Sequence, residues 1–197
     1  MLEGAPDLAL DMVEGAFARG KHRDAAPRVL AFAKLVEARA HGRLGDETSA
    51  ASALSRAEKL LDRIQPSTPD PTWISYVTPS RLAAEAIEVF RDLRNPRAVL
   101  RWNDQVTDMS DDLNPRAVGL RLAGVATAVC HMRDLDHALV IGRQALDLLT
   151  KVNSARGRAY LRTVVEAMAP WKGDTRVQEF THEVGQPLAT DSSKAAI

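Results

Sequence analysis

The sequence predicts an all-α protein built as an array of about nine helices paired into antiparallel hairpins, and three observations predict it. Ala, Leu, Arg and Glu recur at three- and four-residue spacing along most of the chain, while no run alternates β-branched or aromatic residues with polar ones. The pentapeptide NPRAV occurs twice, at 95–99 and 114–118, and each copy reads as a helix start: Asn caps free amides, and Pro at the next position lacks only an N–H that would be unpaired anyway. A corner segment also recurs, since HGRLGDETSAASALSRAEKLL at 41–61 lies without a gap over VCHMRDLDHALVIGRQALDLL at 129–149.

The elements follow in order. A first helix near 6–19 comes from the amphipathic N-terminal stretch. Asp24 with Pro27 starts a second, near 24–43, and the corner residue Asp46 a third, near 46–64. The Pro-rich connector QPSTPDPT at 65–72 cannot continue a helix, so the next begins at Thr78–Pro79 and runs near 79–92. The two NPRAV segments start helices near 95–110 and 115–132. Asp134 starts one near 134–150, Asn153 with Ser154 one near 154–169, and Asp174 the last, near 174–185. Corner by corner, Asp46, Asn95 and Asp134 are equivalent at spacings of 49 and 39, with Asp174 a further copy. Leu135, Ala138, Leu139, Gly142, Ala145, Leu146 and Leu149 form one apolar face of the seventh helix. The sixth carries apolar residues on two sides and is expected between neighbours.

Charge and composition exclude several classes. With 26 basic and 26 acidic residues in 197, no net field draws the chain to nucleic acid or to an anionic membrane. The apolar share of 45% suits a globular core. One cysteine, Cys130, forms no internal disulfide, and no apolar run reaches a membrane span, so a cytoplasmic location is expected. Cys130 sits inside an apolar helix and is read as an inert packed thiol. Arg94, Arg97 and Arg101, then Arg116 and Arg121, then Arg156, Arg158 and Arg162 read as solvated basic faces.

Two histidines and two aspartates, His131, Asp134, Asp136 and His137, raise the alternative of a metal site or an α-helical enzyme at one corner. The repeat assigns Asp134 to capping, and His22, His41 and His182 supply no further ligand at a recognisable spacing, so no metal is expected. No glycine-rich phosphate loop, nucleophile elbow or zinc-protease motif occurs. The expectation is a non-enzymatic protein without a cofactor.

Small residues at Ala50 and Ala138, and seven later at Ala57 and Ala145, resemble the tetratricopeptide (TPR) repeat, which implies a right-handed superhelical array over residues 1–188 with a flexible tail at 189–197. A wider resemblance rests on Trp73-x-x-Tyr76, Leu93-Arg94-Asn95-Pro96 and Ser154-x-Arg156, within the order ARAHGRLGD, AEKLLDRI, TWISYVTPSRLAAE and NSARGRAYLRTVVEAMAPW. These segments are similar to the region behind the helix-turn-helix in XRE-type transcriptional regulators of high-GC filamentous bacteria. Residues 1–23 already read as the first array helix, so this chain is expected to lack the helix-turn-helix and not to bind DNA directly. The resemblance implies a regulatory interaction or sensor module, with a protein or peptide held on the concave groove lined by the first helix of each hairpin. In that register Phe32, Leu35, Arg39 and Arg43 share the groove with Arg81 and Glu88, followed by Thr127, His131, Tyr160 and Thr163. Its charges are expected to be free surface charges, whereas Trp73, Tyr76 and Trp102 are assigned to packing. A small-molecule effector in a pocket between hairpins is the alternative, and homodimerisation stays open.

Overall fold

The computed structural model describes residues 5–65, 71–106, 114–152 and 154–186. Among them are nine α-helices, two single-turn 3-10 segments and no strand: α1 Pro6–His22, α2 Pro27–Leu44, α3 Glu47–Leu61, α4 Pro79–Asp92, α5 Pro96–Asn103, α6 Pro115–His131, α7 Leu135–Val152, α8 Ala155–Ala167 and α9 Thr175–Gly185. No described helix is long and apolar enough to cross a membrane. The chain divides into two compact units, Met1–Asp108 and Met109–Ile197. The fifth helix, expected near 95–110, is shorter: it ends at Asn103, where the N–H groups of Gln105 and Val106 donate to Trp102 and Asn103 and tighten the chain into a turn. Residues 66–70 and 189–197, which carry part of the Pro-rich connector and the expected tail, lie outside the described residues, as do 107–113 and Asn153.

Local chemistry sets the starts. Side-chain oxygens of Asp46, Thr78, Asn95, Asn114, Asp134 and Ser154 each accept the backbone N–H three residues on, and Asp174 accepts that of Arg176. Such a cap satisfies an amide with no partner inside the helix and stabilises by about 1 kcal/mol. Asp24 does not act this way. It sits at φ 49° in the turn after α1, and α2 starts at Pro27 behind Ala26 with no side-chain cap.

The corners repeat in their backbone as well as their sequence. Gly45, Arg94 and Arg133 take left-handed φ values of 78°, 54° and 68°, and the next N–H, of Asp46, Asn95 and Asp134, donates to the carbonyl of His41, Phe90 and Val129 at 3.0, 2.9 and 3.3 Å. Each corner thus closes the preceding helix and caps the following one, at the spacings of 49 and 39.

Within the first unit, α2 pairs with α3 and α4 with α5, and α4 also packs on α2 and α3. Within the second, α6 pairs with α7, and α8 packs on both. The apolar face expected on α7 is buried throughout, and α6 is buried on two sides. Ala50, Ala57, Ala138 and Ala145 are all 0% exposed, where a longer side chain has no room. Ala138→Leu is therefore expected to destabilise by about 1–3 kcal/mol in urea unfolding. A neutral result would contradict the close helix contact.

Candidate functional site

In the first unit the sequence between α3 and α4 builds an aromatic rim. Ile74 and Val77 are 0% exposed and anchor the segment, so Trp73 and Tyr76 face outward, 64% and 50% exposed. The start of α2 holds the same segment, because Arg28 Nη1 donates to the Val77 carbonyl at 2.5 Å. The assignment of Trp73 and Tyr76 to packing is corrected by this anchoring, which buries their neighbours instead. Trp102 is half-buried.

Behind the rim lies a buried carboxylate. The Glu85 side chain is 5% exposed; Arg81, one turn earlier on α4, donates to its Oε1, and Arg39 Nε of α2 stands 3.4 Å from Oε2. Two guanidinium groups on one carboxylate offset the cost of removing its charge from water. Oε2 itself accepts no hydrogen bond among the described residues and is held by the Arg39 charge alone. Arg81 also lies over the Tyr76 ring at 6.0 Å, and Tyr76 meets Phe32 edge-on with centroids 6.3 Å apart. A continuous row follows, from Phe32 through Tyr76, Arg81 and Glu85 to Arg39, with half-buried Arg43 and Glu88 one turn beyond on α2 and α4.

Phe32, Arg39 and Arg81 thus lie in one row, but Arg81 is a structural partner of Glu85 and not a free surface charge. Leu35, 2% exposed, belongs to the core and offers no surface. Glu85 was missed by sequence reasoning. Its signal was an acidic residue four after Arg81, set among Leu82, Ala86 and Val89 on the apolar side of α4.

In the second unit, Thr127 is 3% exposed and its hydroxyl donates to the Ala123 carbonyl at 2.9 Å within α6, so it too offers no surface. Tyr160 accepts from Arg156 at 3.2 Å, and the Thr163 hydroxyl donates to Ala159. His131 is exposed at the end of α6. At that corner Asp134 caps α7, with His137 Nδ1 3.9 Å from its free oxygen, while Asp136 pairs with Arg176 at 2.6 Å. Among the described residues no three His, Cys, Asp or Glu side chains gather as metal ligands. Hydrogen bonds from the Arg176 side chain and backbone hold the Asp174 carboxyl below the usual range, and those from Ser49 do the same for Asp46. Burial pushes the Cys130 thiol up to about 11, so at neutral pH it is a protonated, 2% exposed packing residue.

Compared with known proteins, the chain matches no protein-family model, no curated protein and no solved structure.

Proposed function

We propose that this chain is a non-enzymatic, TPR-like interaction module that holds a protein or peptide segment against the α2–α4 face of its first unit. The observation that carries this is the pair of rings Trp73 and Tyr76, 64% and 50% exposed, beside Arg81, which its ion pair with buried Glu85 holds over the Tyr76 ring. Exposed aromatic rings beside fixed charges are the usual anchors of a binding patch. A partner segment that lays an aromatic or aliphatic side chain against Trp73 and Tyr76 covers these rings. The place of such a module in a transcriptional regulator is supported by the resemblance of Trp73-x-x-Tyr76, Leu93–Pro96 and Ser154-x-Arg156 to XRE-type proteins.

Selection of a displayed random peptide library on the immobilised chain tests the reading. Enriched peptides are expected to carry an aromatic or aliphatic residue. Their affinity should fall at least about tenfold with Trp73→Ala, the size of a hot-spot truncation. The exposed side chain of Val140 on α7 provides the control: Val140→Ala should leave binding and the thermal melt unchanged. Equal binding by both variants would remove this face from consideration.

A further inference from the structure

About half a turn round α2 from Phe32 and Arg39 stand Lys34, Glu37 and His41, and they line a different feature. Two adjoining clefts of about 690 and 310 Å³ between α1, α2 and α3 share Phe17, Lys21, Lys34 and Arg56. The smaller is completed by Lys59, Leu60 and Arg63, and no carboxylate among the described residues lines it. In a chain with equal numbers of acids and bases, five cations gathered where Glu37 pairs with one of them, Lys34, depart from an ordinary solvated face.

We propose that this cleft binds a small polyphosphate, either inorganic diphosphate or the diphosphate of a nucleotide. This site is independent of the α2–α4 face. Lys34 is 6% exposed, pairs with Glu37 and lies over the Phe17 ring at 4.0 Å, and Lys21 stands over the same ring at 5.7 Å. These contacts fix the back of the cleft. Arg56, Lys59 and Arg63 are exposed at its mouth, with no carboxylate paired to them among the described residues.

Cations near helix C-termini offset their own helix ends, and Lys21, Lys59 and Arg63 stand near the ends of α1 and α3. Each end carries roughly half a negative charge, so with Glu37 the five cations still leave an excess of about three. A diphosphate matches that excess, and guanidinium forks match its oxygens. The larger cleft continues past Phe17 to Asp11 and Glu14, which can accept from hydroxyl or amino groups on the rest of a ligand.

Isothermal titration of the full chain with sodium pyrophosphate, ADP and adenosine, at matched ionic strength, tests this. Pyrophosphate and ADP should each saturate one site and adenosine should not bind. ADP at least about tenfold tighter than pyrophosphate assigns the nucleotide, and equal affinities assign the inorganic ion. The double variant Arg56→Glu/Arg63→Glu should weaken binding by about 100-fold. Arg143→Glu/Lys172→Glu, the same charge change on the second unit, should not weaken it. Arg56→Gln, a single exposed replacement, should weaken binding at least severalfold and keeps the test valid if the double variant does not fold. No saturation up to about 10 mM, or equal loss in both double variants, would overturn the proposal. So would binding of a DNA duplex that is sensitive to Arg56 and Arg63 while neither small anion binds.

Discussion

Truncation of Leu149 to alanine is expected to lower the stability of the second unit by about 3–5 kcal/mol, toward the upper end for a leucine. Leu149 is 2% exposed on α7 and is seated between two glycines on different helices. A Cβ on Gly119 of α6 would meet Leu149 Cγ at 2.7 Å, and one on Gly157 of α8 would meet Leu149 Cδ2 at 3.2 Å. The absence of side chains at 119 and 157 is what lets α7 lie against both helices. The same absence leaves nothing to collapse into the hole once Leu149 is shortened. Gly119→Ala should also destabilise: the helix-propensity gain of about 1 kcal/mol is outweighed by overpacking of about 1–3 kcal/mol. Combined, the two substitutions should be less damaging than their separate effects predict, because the added methyl enters the space that Leu149 vacates. Urea unfolding of the four proteins measures this coupling, expected at about 1 kcal/mol or more. Strict additivity would show that the two residues do not share one contact.

The second large effect is expected where Glu85 loses its counter-charges. Arg39→Met with Arg81→Met should cost about 2–3 kcal/mol, below the 3–5 kcal/mol of a wholly buried pair because both guanidinium groups are in part solvated. Their side chains are 20% and 38% exposed, against 5% for Glu85. Adding Glu85→Gln to that double variant should restore most of the loss, since a neutral amide needs no balancing charge. Failure of Gln to rescue would mean that the arginines act through packing of their stems. Arg81→Glu should be worse than Arg81→Met, as it sets a second carboxylate beside a buried one. For that reason binding to this face is better probed at Trp73 than by charge reversal at Arg81.

Helix starts were legible in the sequence because capping is local. Asp46, Thr78, Asn95, Asn114, Asp134, Ser154 and Asp174 act on amides two or three residues away, so residue type and position suffice. The apolar face of α7 and the small residues at 50, 57, 138 and 145 were legible for a similar reason, since helical periodicity alone places them on one side. Asp24 was misread because a capping residue type does not say whether the chain has yet turned into its helix. The outward rings of Trp73 and Tyr76 depend on a hydrogen bond from Arg28, 49 residues from Val77. The burial of Glu85 depends on where α2 lies against α4. The basic cleft depends on the rotational phase of three helices that bring Lys21, Lys34 and Arg56 to one place. Most helix starts and the repeating corners are short-range hydrogen-bond chemistry, which residue type and spacing already carry. Which charges meet, and which aromatic rings stay in water, only the packing of helices distant in sequence decided, because charge pairing and exposure depend on side chains brought together from different helices.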